Sequence, residues 1–214
     1  MFLKNKGRMD YKRRQKKLRE LIAKLNKERK NQAQKIDILC NDIIGAQRSF
    51  IKTLNTISFT ANFYESIVGI TDLNRLFYTA EKLIKDELNE VNVAFFLRQD
   101  KNFELHMLES DQPITLEKQR LENCFTAELV NNICKANKLC SLEDTIAMGL
   151  QGNPTTLSKI SAFTIPLGQG GTSAGFILIH RSSRENLTCA ELNRVLAITT
   201  GLSQAISSCR VLTN

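Results

Sequence analysis

From Ile36 to Ile67 the apolar positions advance alternately by three and four residues: Ile36, Leu39, Ile43, Ala46, Phe50, Thr53, Ile57, Thr60, Tyr64, Ile67. That is the a/d spacing of a coiled coil, kept for nearly five heptads and weakened by two threonines. Leu18, Leu21 and Leu25 extend it upstream, with Ile22 beside the line. Leu25 to Ile36 is a local hendecad, which unwinds the supercoil there. Residues 1–112 contain no Pro, and Gly45 is the only Gly between Gly7 and Gly69, so residues 10–68 are predicted as one helix. At 1.5 Å per residue it is roughly 90 Å long. A helix of that length cannot bury its stripe on a domain of about 145 residues. A parallel two-stranded coil with a second copy is the simplest cover, using Ile36, Leu39, Ile43, Ala46, Phe50, Ile57, Tyr64 and Ile67. A charged single helix is the alternative, because Glu28, Gln32 and Lys35 leave the upper seam polar.

After Gly69 the period changes. Thr71 or Asp72 caps a helix burying Leu73, Leu76, Phe77, Ala80, Leu83, Ile84 and Leu88. Val91–Leu97 is a strand, and beyond the turn at Asp100-Lys101-Asn102 the stretch Phe103–Leu108 alternates, giving an antiparallel hairpin. Residues 116–138 read as helical and 139–158 as irregular. Ile160–Leu167 and Ala174–Arg181 are strands joined by a Gly-rich loop. Thr188 then caps a last helix with Glu191 three residues on, a capping box, and its apolar face is Leu192, Val195, Leu196, Ile198, Leu202 and Ile206. The order predicts an α+β domain, an antiparallel sheet with helices on its faces. The expected division is a basic helix over 1–68 and a domain over 69–214.

Charge sharpens that division. The chain has 214 residues, 30 of them Lys or Arg and 22 Asp or Glu, for a net charge of +8. Residues 1–35 hold 14 basic against 3 acidic side chains, leaving 16 against 19 in the rest, so the arm is basic and the remainder slightly acidic. No apolar run reaches the ~18 residues of a membrane span. The N-terminus lacks a secretory apolar region, and six scattered cysteines without a CxxC argue against a disulfide framework. The expectation is a cytoplasmic protein with reduced thiols.

Two segments resemble the GAF domain family, a sensory module. Ser161-Ala162-Phe163-Thr164-Ile165-Pro166-Leu167, a Gly turn and Ala174-Gly175-Phe176-Ile177-Leu178-Ile179 are similar to its strand–Pro-Leu–turn–Gly–strand signature. Leu187-Thr188-Cys189-Ala190-Glu191-Leu192 is similar to its entry into the final helix. The resemblance covers about residues 70–212. It implies a six-stranded antiparallel sheet, with further strands from 109–115 and 139–158. It also implies a pocket on one face closed by residues of 110–158, and dimerisation through a helical bundle continued by a coiled coil. Pro166 fits a strand end and Gly175 a close backbone or ligand approach.

Marks of chemistry are missing. Asn137-Lys138-Leu139 with Glu143-Asp144 lacks the spacing and the Phe of the cyclic-nucleotide motif. No His accompanies Cys134 or Cys140, as a bilin attachment needs, and the spacings of Cys124, Cys134 and Cys140 match no redox pattern. His106 reads as a polar strand residue facing away from Phe103, Leu105 and Met107; His180, ending its strand, is expected to be exposed. Neither supports a metal site, a Ser-His-Asp triad or haem. The loop Gly168–Gly171 precedes no helix, so it reads as a hairpin turn rather than a phosphate cradle.

What remains is a pocket lined by Phe96, Leu108, Cys124, Leu129, Ile133, Cys140, Phe163, Ile165 and Phe176, with Asn131, Ser141 and Thr164 as orienting groups. Simple core packing of the same residues is the alternative. The expected function is a non-catalytic, dimeric sensory or regulatory protein without cofactor or metal. It would couple a small ligand or a signalling-protein partner to the N-terminal coil. A ligand-free dimerisation module and a nucleic-acid-binding regulator are the alternatives. Lys outnumbers Arg nine to five in the basic arm, and Lys meets phosphate as a point charge, so nucleic acid is disfavoured.

Overall fold

The computed structural model describes residues 2–99, 102–107, 121–152, 157, 160–168, 173–182 and 186–213, with side chains from Arg13 to Val211 within them. Helix α1 (Phe2–Ile67) is followed by α2 (Leu73–Glu87), β1 (Asn92–Gln99), β2 (Asn102–Met107), α3 (Ala127–Ala136) and β3 (Cys140–Ser141). Then come α4 (Leu142–Ala147), β4 (Ile160–Leu167), β5 (Gly175–Ser182) and α5 (Cys189–Thr213). Packing divides the chain into Met1–Leu54 and Asn55–Asn214.

The first unit is helix alone. Its Leu18, Leu21, Ile22, Leu25, Ile36, Leu39, Ile43 and Phe50 are all exposed, as the uncovered stripe requires.

The second unit is built on an antiparallel sheet ordered β2-β1-β5-β4-β3. The α+β architecture with helices on both faces agrees with the sequence reading. Five strands are described; 109–115 lies outside the described residues, and β3 supplies the strand expected from 139–158. Asp72 caps α2 by accepting from the Arg75 N–H at 2.7 Å. Thr188 and Glu191 form the expected capping box: the Thr188 N–H donates to Glu191 Oε2 and the Glu191 N–H to Thr188 Oγ1.

Alternation along the strands separates two cores. Val93, Phe95, Leu97, Ile165, Leu167, Ile177 and Ile179 face a layer made by the end of α1, α2 and α5. Ala94, Phe96, Leu105, Ala162, Phe176 and Leu178 face α3 and Phe125. A side chain at Gly175 would collide with the Phe96 carbonyl oxygen, so this residue serves the close β1–β5 approach. Pro166 pairs with Phe176 on β5 beyond the end of β3, which reaches only to Thr164.

Phe59, Phe63 and Ile67, in the last turns of α1, pack into the sheet's first core, so the compact unit starts at Asn55. Three expectations are corrected. Ile67, read as seam, is only 6% exposed, and Tyr64 is half-buried with its hydroxyl donating to the Ala197 carbonyl at 3.1 Å. Both are covered within one chain. The helix expected over 116–138 breaks at Phe125, and Thr126 starts α3 afresh by accepting from the Leu129 N–H; 116–120 lies outside the described residues. Leu196, expected on the buried face of α5, is exposed.

Candidate functional site

The sheet's second face is filled unevenly. On the β1 side three aromatic rings close it: Phe96 stacks on Phe176 with centroids 4.7 Å apart, and Phe125 lies 4.7 Å from Phe96. Leu129 and Ile133 of α3 seal that half. Toward β4 the inward positions shrink to Ala162 and Thr164, and no described residue of α3 lines the space beside them. The volume left there is a cavity of about 660 Å³ between the sheet, Leu121–Phe125 and α4.

Its walls are mostly apolar: Leu121, Phe125, Leu142, Leu150, Ile160 and Leu178 among them. Four polar side chains reach it, Asn123, Thr145, Thr164 and His180. None of the described lining residues is Asp, Glu, Lys or Arg. Thr145 is held by its own helix turn, donating to the Ser141 carbonyl at 2.7 Å. The Thr164 hydroxyl is buried against the Cys140 thiol, and no other described group bonds it. A buried hydroxyl facing a cavity has capacity beyond one weak thiol contact and can hold a ligand's polar atom.

The sequence-selected residues divide accordingly. Cys124, Phe163 and Thr164 line the cavity. Phe96, Leu129, Ile133 and Phe176 are core, consistent with the packing alternative. Ile165 is corrected: it faces the α1–α2–α5 layer, because residues 163, 164 and 165 on a strand cannot all share one face. Phe163 packs against that same layer while edging the cavity. Cys140 is buried beside the site, and Asn131 is half-buried on α3 away from it. Ser141 caps α4, accepting from the Asp144 N–H while its own N–H donates to Asp144. Leu108 lies outside the described residues. His180, expected to be exposed, is half-buried on the cavity wall.

Two thiols near the site, those of Cys134 and Cys140, are buried. Burial pushes the Cys140 thiol above its ordinary value, opposed by its hydrogen bond with Thr164. Cys134 is raised for the same first reason, opposed by Ser173. Raised thiols stay protonated and unreactive at neutral pH. Among the described residues no three His, Cys, Asp or Glu gather as a metal set would. Asp144, fixed by the hydrogen bonds from Ser141, is held below the usual carboxylate value.

No protein-family model matches the chain, and no curated protein matches it. Solved structures do. The GAF domain of a phosphoenolpyruvate-protein phosphotransferase from Coxiella burnetii is 12% identical with a TM-score of 0.57, over 75% of this chain and 97% of that one. The compact unit has the GAF fold. A GAF domain/HD domain protein from Geobacter sulfurreducens matches at 12% identity and TM-score 0.54, over 68% and 98% of the two chains. The GAF domain of the cyanobacteriochrome TePixJ matches at 14% and 0.52, over 68% and 95%. At such identities the GAF fold carries over and side chains do not. The cavity on the second face of this GAF sheet is therefore judged on its own residues.

Proposed function

We propose that the chain is a non-catalytic sensory or regulatory GAF protein. It binds an uncharged, mostly apolar small molecule in the cavity above Ala162 and Thr164 and couples occupancy to the coiled coil of α1 in a homodimer. The cavity carries this reading: its volume lies within the few-hundred to ~1,000 Å³ range of small-molecule sites, and its described lining bears no carboxylate, ammonium or guanidinium. Burying an ionised ligand among such walls leaves its charge uncompensated, which selects against anions such as nucleotides. Thr164, Asn123 and His180 give a neutral ligand one to three polar anchors. The dimer rests on the exposed stripe Ile36, Leu39, Ile43, Ala46, Phe50 and Ile57, which needs a second helix as cover. A ligand shifts such a pair only by favouring one of two arrangements.

Nile red, an uncharged solvatochromic dye, serves as probe. The wild type is expected to bind it, and Ala162→Phe, which fills the cavity from its floor, to weaken binding at least about tenfold without lowering the Tm by more than a few degrees. Absent binding, or equal binding by the variant, removes the cavity as the ligand site.

A further inference from the structure

The upstream part of α1 has a feature that the seam does not use. Leu18, Leu21, Ile22 and Leu25 are each half or more exposed. At about 100° per residue they fall within roughly 100° of arc, a short apolar stripe two turns long. The next positions toward the seam, Glu28, Gln32 and Lys35, are polar and exposed, so the stripe is separate from the one starting at Ile36. Between Arg13 and Lys35 there are ten Lys/Arg and two Glu, every one exposed. Lys17 and Lys24 flank the stripe on one side and Arg19 on the other, Arg14 and Arg29 bracket its two ends, and Lys16 and Lys27 stand opposite. Basic charge therefore surrounds an apolar strip on nearly all sides.

We propose that residues 13–35 of α1 form a docking surface for an anionic membrane, lying in the plane of the interface. Charge complementarity selects an anionic partner. The stripe selects one that is also apolar beneath its charged layer. A nucleic-acid duplex offers phosphates and no apolar interior, so it leaves Leu18, Leu21, Ile22 and Leu25 in water. A lipid surface takes both: the four aliphatic side chains enter the acyl boundary, and the long lysine stems reach back to the headgroups. Among the described residues no helix is long and apolar enough to cross a bilayer, so the helix lies on the surface. The proposal is independent of the cavity and stands or falls apart from it.

The full chain is tested by flotation with phosphatidylcholine vesicles, with and without about 30% phosphatidylserine, at about 150 mM salt. Binding to the anionic vesicles is expected at least about tenfold tighter than to the neutral ones. Leu21→Gln/Ile22→Gln is expected to weaken it about tenfold or more, and Lys17→Gln/Arg19→Gln/Lys24→Gln at least as much, both with unchanged far-UV CD and mass. No binding to anionic vesicles, equal binding to neutral ones, or full retention in the Leu21/Ile22 variant overturns the proposal. So does displacement from vesicles by an equimolar random 20-mer duplex, which assigns the arm to nucleic acid.

Discussion

The ring of Tyr64, near the end of α1, occupies the space that any side chain at Gly201 of α5 would need. The two helices approach this closely because residue 201 has no Cβ, and the Tyr64 hydroxyl then reaches the Ala197 carbonyl one turn earlier. Gly201→Ala sets two effects against each other. Helix propensity favours Ala by about 1 kcal/mol, while forcing a methyl against the ring costs about 1–3 kcal/mol. The variant is expected to be less stable than wild type in urea unfolding. In a Tyr64→Ala background the same substitution is expected to stabilise. A change of sign between the two backgrounds is the mark of direct contact.

Glu191 holds two elements at once. It closes the capping box with Thr188 and accepts from the buried Arg181 of β5 at 2.9 Å, while Arg181 also donates to the Asn89 carbonyl at 2.6 Å. Partial burial pushes the Glu191 carboxyl up, but the hydrogen bonds from Thr188 and Arg181 together carry it below its usual 4.5. A lowered folded-state pKa contributes stability above about pH 4.5 that is lost as pH falls through the folded value. Glu191→Gln is expected to cost about 1–3 kcal/mol at pH 7. The gap from wild type should narrow progressively below about pH 4.5 in parallel urea titrations; a constant gap contradicts the ionised pair.

The seam separates two classes of exposed apolar residue. Ile43 and Phe50 lie on the a/d line, whereas Ile44 and Ile51 stand one residue further round and are also exposed. In a two-stranded coil only the first pair is buried. Light scattering at micromolar concentration is expected to give a dimer for wild type and for Ile44→Lys/Ile51→Lys, and a monomer for Ile43→Glu/Phe50→Glu. A monomeric wild type, or loss of assembly in the Ile44/Ile51 variant, contradicts a two-stranded seam.

Local pattern made much of the GAF unit readable. Alternation and turn residues placed both hairpins, the i, i+3, i+4 spacing placed α2, and Thr188 with Glu191 marked the start of α5. The cavity was read less well, since its lining depends on how far α3 reaches and on small residues such as Ala162, which carry no signal of their own. Strand parity, applied strictly, separates Thr164 from Ile165. Phe59 and Phe63 lie off the heptad line, yet Phe59, Phe63 and Ile67 advance by fours and mark the face that the sheet claims. Arg181 and Glu191 pair across ten residues and two elements, a contact that only the docking of α5 creates.

If occupancy of the cavity biases the α1 seam, as proposed, the seam must bias the cavity by the same factor, because coupling is reciprocal. It is tested by the Kd of Nile red for the wild type and for Ile43→Glu/Phe50→Glu, whose substitutions lie far along the chain from every cavity residue. Breaking the seam is expected to change the affinity by about fivefold or more. Equal affinity in the two proteins would contradict it.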